Sequence, residues 1–369
     1  MHTRSFSGLV DRAARLKFLA VLVLLVLTAA ACGGDEDPSE DPAAEAGPVL
    51  CPMTGVETAD DAPVDRPALA VKIDNAPPAR PPVGLEAADI VFEELGEGGL
   101  TRFLSFFHCD DAEDLGPVRS ARNVDVDILQ EFAPALLGYS GANDQVLAKI
   151  SSTEGIVDLR HGSYGDAYRR ESDRRSPYNL FSSTEALRSL DAAQEAEGPP
   201  SVGFVFNAEL LEAEPQQEQS PDEDSSPSPE GEAQAGEPAE SVAFEFSAAT
   251  RIRYTYDAAA QRYLRFHGDT AHNAATGEQL GAVNVVILKT EIVDGTVLDA
   301  SGSPTKDTTV VGSGEAVVLR AGQVEFGTWN RSSLDSNTTL ENRDGETIEL
   351  APGNTWVHYI EESEQVDVQ

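Results

Sequence analysis

The sequence predicts an α+β fold: an α/β-like N-terminal part built on a mixed sheet, followed by a β-rich C-terminal part. Three observations predict it. Between residues 69 and 190, short apolar runs alternate with helix signals, as strands and helices interleaved along one chain do. From Val242 onward only strand-like runs recur, divided by turn signals such as Ala321-Gly322 and Asp344-Gly345. Residues 208–240, between the two parts, are rich in Glu, Gln, Ser and Pro and contain no aromatic residue. Such a stretch cannot bury enough apolar surface to offset the entropy of ordering, so it reads as acidic and disordered. It either divides two domains, 50–207 and 241–361, or interrupts one as a loop insertion.

Taken in order, the chain opens with a targeting signal at residues 1–31. Arg4, Arg12, Arg15 and Lys17 form a basic start. The apolar stretch that follows, up to Ala31, is too short for a comfortable membrane span. Ala29-Ala30-Ala31-Cys32-Gly33 resembles a bacterial lipobox, with Ala29 where Leu is usual. Cys32 is therefore expected to be lipidated, and its acyl chains to anchor the mature protein to a membrane. Cleavage there removes four basic groups and one acid, so the mature chain is more negative still than the formal −38 of the whole. That charge speaks against nucleic acid as a partner, because phosphate binding needs a basic footprint. Residues 32–49, acidic and rich in Pro and Ala, read as a disordered tether.

Cys51 opens the folded part. With Cys32 used as the anchor, Cys51 and Cys109 remain, and an even pair outside the cytoplasm reads as a disulfide. Two free thiols, or a metal site of Cys109 with His108, Asp110 and Asp111, are the alternatives. Neighbours on a strand face opposite ways and rarely converge on one ion, so neither metal nor cofactor is expected. Residues 69–74 read as a strand, and the Pro-rich residues 75–83 as an extended polyproline-like segment. Ile90–Leu95 and Thr101–Phe107 flank a Gly-rich turn and read as a β-hairpin. Gly116-Pro117-Val118-Arg119-Ser120-Ala121-Arg122 reads as a rigid turn whose two arginines share a helix-start face. A helix at 124–131, a strand at 135–140 and a helix at 144–150 capped by Asn143 follow. Residues 155–178 carry Arg160, Arg169, Arg170, Arg174 and Arg175, a basic island in an acidic protein. A further helix is expected at 183–190. Strands are expected at 204–206, 242–246, 251–256, 262–266, 283–290, 315–319, 323–329, 347–350 and 355–360.

The order of motifs resembles the YerB-like bacterial lipoproteins. The matching pieces are Pro52-Met53-Thr54-Gly55, Asp89-Ile90-Val91-Phe92-Glu93-Glu94, Glu97-Gly98-Gly99-Leu100-Thr101-Arg102-Phe103 and the Gly116–Arg122 string. Pro177-Tyr178-Asn179-Leu180 stands where relatives read Pro-His-Asn-Leu. Asn284-Val285-Val286, Trp329 and Pro352-Gly353-Asn354-Thr355-Trp356 match toward the end. The resemblance covers nearly all of residues 50–360. It implies an architecture and an extracytoplasmic, membrane-anchored location, and no reaction, since that family has no assigned chemistry.

Several constellations are weighed against plainer readings. Glu93, Glu94 and Glu97 offer carboxylates of the kind glycoside cleavage needs, but Glu93 and Glu94 are adjacent on a strand and face opposite ways. Gly138-Tyr139-Ser140-Gly141-Ala142 has a nucleophile-elbow context, with Ala142 in place of the second Gly. Arg119 and Arg122 are the strongest candidates, because guanidinium forks suit carboxylates and phosphates. Internal pairing with Glu93, Glu94 or Asp125 is the structural alternative. The expected ligand-binding set is Arg102, Arg119, Arg122, Glu94, Glu97, Ser140 and Asn179. The expected role is non-catalytic binding of a cell-wall glycan or peptide, or of another envelope protein. The competing class is a peptidoglycan- or glycan-acting hydrolase or lyase using carboxylates near Glu93 to Glu97.

The anchor is directly testable. Cys32→Ser should block lipidation and move the protein from the detergent phase to the aqueous phase in a phase-partition experiment. Unchanged partitioning would remove the lipoprotein reading.

Overall fold

The structure, a computed structural model, describes residues 48–59, 61–212, 236–299 and 302–369. The expected signal segment, Cys32 and most of the tether lie outside the described residues, as do residues 213–235 of the acidic stretch. Among the described residues no helix is long and apolar enough to cross a membrane.

The N-terminal part supplies strands β1 (Ala68–Asp74), β2 (Ile90–Leu95), β3 (Thr101–Phe107), β4 (Ala135–Gly138) and β5 (Ile156–Asp158). Helices α1 (Asn123–Leu129), α2 (Asp144–Ser152) and α3 (Thr184–Arg188) are interleaved with them or follow them. The C-terminal part supplies β6 (Ser241–Ser247), β7 (Thr250–Asp257), β8 (Arg262–His267), β9 (Asn284–Thr290), β10 (Ile292–Leu298) and β11 (Pro304–Thr308). It continues with β12 (Gly312–Arg320), β13 (Gln323–Arg331), β14 (Thr339–Asn342) and β15 (Thr355–Glu361). The α+β class is as the sequence predicts.

One long mixed sheet runs in the order β14-β13-β12-β9-β15-β2-β3-β1-β4-β5, with Glu237–Pro238 added beside β13. Strand β15, near the end of the chain, lies parallel to both β2 and β9 and so joins the two parts in one hydrogen-bonded layer. β9, β15, β2, β1, β4 and β5 all run the same way, and β3 runs against them between β2 and β1. A smaller sheet, built on β6, β7 and β8, covers one face of the long one. Helices α1 and α2 cover the other.

This layering explains the sequence patterns. β1 and β2 are buried on both faces, which is why they read as continuous apolar runs rather than alternating ones. β6 alternates instead, with Val242, Phe244 and Phe246 facing the long sheet. Asn143 caps α2 through a 2.9 Å bond from Val146 N to its side-chain oxygen, and Ser183 caps α3 in the same way.

Three expectations need correction. Residues 204–206 and 347–350 are not strands; they make isolated bridges only, Phe206 to Leu350 and Thr347 to Glu341. Residues 75–83 contain a 3-10 turn at Pro77–Ala79, where three residues fold back so that Arg80 N can donate to Pro77 O. Arg119 and Arg122 do not share a helix face: Arg122 is the N-cap of α1, and Arg119 lies three residues before that cap, outside the helix. The β10–β11 hairpin was not foreseen; of the apolar residues of β10 only Ile292 is buried, while Val293 and Leu298 are exposed.

Cys51 and Cys109 are bonded, as expected, across a sequence separation of 58 residues. The bridge ties the turn at the start of the fold to the end of β3. Intact mass should show two hydrogens fewer than the reduced chain. Replacing both cysteines by serine should lower stability by about 2–4 kcal/mol in urea titration, the usual range for a closed loop of such length. An unchanged midpoint would mean that the bridge constrains nothing.

Candidate functional site

The shared direction of six strands brings their carboxyl ends to one edge of the long sheet, the place where open α/β sheets present ligand sites. β1 ends there in Asp74, β2 leads into Gly96-Glu97, and β4 leads into Ser140-Gly141. β3 starts at the same edge with Thr101 and Arg102. The Gly116–Arg122 string lies across it, with Arg119 N donating to Lys72 O and Ser140 N donating to Arg119 O. Sequence-distant segments therefore converge on Arg102, Arg119 and Arg122.

The charges here are layered. Arg102 pairs across the sheet with Asp74 on one side and Glu94 on the other. Its guanidinium lies 3.0 Å from Glu97, whose other oxygen takes Arg122 Nε. Arg119 Nε is 2.8 Å from Asp74. The carboxylates lie underneath, with the Asp74 and Glu97 side chains only 4% and 3% exposed. The guanidinium groups lie above, at 12% for Arg102, 26% for Arg119 and 17% for Arg122. Burial, and then the charge of Arg122, pushes Arg102 down to about 10, while Glu97 and Asp74 oppose that shift. Glu97 is held below the usual carboxylate range: burial works against its charge, and Arg122 and Arg102 outweigh it. Among the described residues, Arg102 Nη1 is buried without a hydrogen-bond partner.

One layer deeper, Lys72 meets Glu94 in a close ion pair and Asp125 of α1 at 2.7 Å. Burial pulls the Lys72 ammonium down to about 8 against the pull of Asp125. Asp125 also takes the backbone N–H of Arg122 at 2.6 Å and so fixes the helix start beneath the arginines.

The opposite face of β2 carries Glu93 into a closed polar network between the two sheets. Arg265 Nη2 donates to both carboxylate oxygens, at 2.8 and 2.7 Å. Thr101 donates to Oε1 at 2.6 Å, and Asn75 at 3.1 Å. His358 Nδ1 lies 3.1 Å from Oε2, and its Nε2 lies 3.1 Å from the Tyr254 hydroxyl. Glu93, Arg265 and His358 side chains are 0% exposed. Burial opposes the charge on Glu93, but Arg265 and then His358 hold it well below the usual range. Burial keeps His358 low and neutral, which suits Nδ1–H toward Glu93 and Nε2 accepting from Tyr254.

At the amino edge of the sheet is a cavity of about 450 Å³, lined by Cys51, Cys109, Thr54, Asp89 and Asn354 among others. Burial pushes the Asp89 carboxyl up to about 7, against the backbone N–H groups of His108 and Cys109. Among the described residues, no Lys or Arg lines this cavity. An anionic ligand is therefore better served at the carboxyl edge.

Of the residues expected from sequence, Arg102, Arg119, Arg122, Glu97 and Ser140 come together. Glu94 is turned inward to Lys72 and has no access to a ligand, because its side chain is 3% exposed. Asn179 binds Arg170 and the Glu171 carbonyl on a separate ribbon, Arg169–Arg170 with Leu180–Phe181. Of the basic island, Arg169 pairs with Asp114 and Glu171, and Arg160 with Asp158. Ser140 Oγ lies 3.3 Å from Ser120 Oγ, and among the described residues no histidine bonds to it. Glu93 and Glu94 enter ion pairs on opposite faces of β2 and do not form a carboxylate pair. Sequence reasoning missed Lys72, Asp74, Arg265 and His358. The signal was there: an ionisable residue inside an apolar strand run, as in Ala-Val-Lys72-Ile, needs a buried partner.

Glu93→Ala should lower stability by about 3–5 kcal/mol, since it strands Arg265 in the interior. Adding Arg265→Leu should recover part of that loss. Glu93 is depressed below its usual 4.5, so the pair's contribution is complete above that value and is lost only as pH falls toward the depressed one. The difference between parent and Glu93→Ala, followed by urea titration, should stay level from about pH 8 to 5 and shrink below it. A difference that grows on acidification would contradict the pairing.

Comparison with known proteins agrees with this architecture. Residues 53–198 match the N-terminal domain, and residues 242–357 the C-terminal domain, of the protein of unknown function DUF3048. The Bacillus subtilis (strain 168) protein "Putative lipoprotein YerB" is 25% identical over 315 residues, covering 84% of this chain and 85% of that protein. The crystal structure of the YerB protein from Bacillus subtilis superposes with a TM-score of 0.69 at 22% identity, over 86% of this chain and 99% of that one. With both family domains matched in order and most of both chains aligned, this chain belongs to the YerB-like DUF3048 family.

Proposed function

We propose that this protein is a membrane-anchored, extracytoplasmic lipoprotein that binds an anionic envelope ligand at the carboxyl edge of its long sheet, without catalysing a reaction. The anchor rests on the lipobox-like Ala29–Cys32 segment and on the name of the Bacillus subtilis relative, which calls that protein a lipoprotein. The ligand site rests on one observation. Arg102, Arg119 and Arg122 outnumber the carboxylates they touch, Asp74 and Glu97, and stand above them toward solvent.

The surface offered there is positive on a chain whose formal charge is −38. A small cationic spot in a negative field admits short anionic groups and repels long polyanions. Carboxylates of wall peptides and phosphates of wall polymers both fit. The closure of Glu93 and Glu94 into ion pairs gives the hydrolase reading no paired carboxylates to work with.

Arg119 is the most exposed of the three and therefore the cleanest probe. Arg119→Ala should weaken binding to solubilised wall fragments roughly tenfold, the worth of one charged hydrogen-bonded contact. Its melting temperature should stay within a few degrees of the parent, because a partly exposed pair contributes little to stability. Arg119→Lys should rescue binding poorly, since the planar fork is lost. Stable Arg119→Ala and Arg122→Ala proteins that bind wall material as the parent does would move the site elsewhere.

A further inference from the structure

Glu97 is placed unlike the other carboxylates of this edge. Its two oxygens are divided between two guanidinium groups, Oε2 to Arg102 Nη2 at 3.0 Å and Oε1 to Arg122 Nε. The backbones of both arginines are placed independently of it. Arg102 is set in the middle of the sheet by β3, between β2 and β1. Arg122 donates from Nη1 to the Ala121 carbonyl at 2.9 Å and from its backbone N–H to Asp125. Glu97, by contrast, sits in Gly96-Glu97-Gly98-Gly99. Gly98 and Gly99 have φ of +69° and +77°, and a side chain built on Gly98 would meet nothing within 4 Å. Gly99 is pinned, because its carbonyl accepts from Ser247 and Thr250 at 2.7 and 2.8 Å. The loop is thus closed at one end by Gly96 N donating to Leu100 O and held at the other through Gly99, with glycines on both sides of Glu97.

We propose that Glu97 is an internal stand-in for the ligand: it fills, between Arg102 and Arg122, the position that a ligand carboxylate takes, and the ligand binds by exchanging with it. This rests on the anion-binding reading above and narrows it. Glu97 presents two oxygens and a single negative charge to the two guanidinium groups; a ligand carboxylate reproduces both, whereas a phosphate brings further charge and further oxygens that the place of Glu97 does not use. The ligand class is therefore a chain that ends in a free carboxylate, such as a peptide terminus. The unpartnered Arg102 Nη1 gives an incoming carboxylate a donor that Glu97 leaves unused. No bond is made or broken; one carboxylate replaces another on the same two cations.

The test compares the parent with Glu97→Gln, which keeps the shape and removes the competing charge. Calorimetry would use acetyl-alanyl-alanine with a free carboxylate, the same peptide as its C-terminal amide, and inorganic phosphate. Glu97→Gln should bind the free acid about tenfold more tightly than the parent, the worth of one charge-assisted contact no longer contested. The amide should bind to neither, and phosphate should gain much less than the acid. Equal affinity of parent and Glu97→Gln for the acid overturns the exchange, while the binding reading stands. An equal gain for phosphate overturns the assignment to carboxylates. If neither protein binds any anionic probe, the anion-binding reading itself fails. Thermal melts accompany each titration. Should Glu97→Gln not fold, Glu97→Asp keeps the charge but is one methylene too short to bridge both arginines. It should then show a smaller gain for the acid, and no gain refutes the exchange.

Discussion

The buried pair of Glu93 and Arg265 is the interaction on which the rest of the arrangement depends. Taking a carboxylate out of water costs several kcal/mol even after the protein relaxes, and only a well-placed, hydrogen-bonded cation offsets it. Here the cation comes from β8, in the smaller sheet, and the neutral imidazole of His358 comes from β15. Neither can reach Glu93 unless β15 lies beside β2 and the smaller sheet covers that face. Satisfying one side chain in the N-terminal part therefore specifies where the C-terminal part must dock. The same pair fixes register. A slip of one residue in β2 would send Glu93 toward Lys72 and Asp125 and leave Glu94 facing Arg265 from the wrong height.

That register sets up the carboxyl edge. With Glu93 committed to the sheet–sheet interface, Glu94 must face the helices, where it meets Lys72, itself paired with Asp125. Arg102, opposite Glu94 and Asp74, then emerges on the helix-covered face at the end of the strands. Asp125 holds the start of α1 and with it Arg122. The chain of contacts runs from the deepest ion pair to the most exposed arginine through elements that are rigid at each step. Such support is what a site needs if its geometry is to be held to within a fraction of an ångström.

Much of this was legible in the sequence, and the part that was not has a physical cause. Strands β1, β2 and β3 were readable because strands buried on both faces are written as unbroken apolar runs. Asn143 announced its helix because a cap is a local bargain between neighbours in sequence. The arginines near the Gly-Pro turn were readable as unusual residues in an acidic chain. Strand neighbours were not readable, because β15 pairs with β2 across more than two hundred residues and no local pattern encodes that choice. For the same reason Arg265 and His358 were invisible as partners of Glu93, although a charge inside an apolar strand signals that some partner exists. Glu94 and Asn179 were misjudged for a different reason: Glu94 shares a face with Arg102 but is taken by the buried Lys72, and Asn179 lies on a separate ribbon, neither of which a local pattern encodes.

The layering of charge at the edge has a consequence for how an unliganded site survives. Three guanidinium groups brought together without compensation would repel one another and loosen the turn that carries two of them. Asp74 and Glu97 beneath them cancel most of that repulsion and leave the surplus on the outer side. The cost is affinity, because every arginine already has a partner that a ligand must better or displace. A site built this way binds weakly per contact and discriminates by shape, since only a group that reproduces the internal geometry recovers the lost pairing. On a chain with a formal charge of −38, long-range attraction cannot make up the difference, so selectivity at this edge has to come from contact geometry rather than from the field.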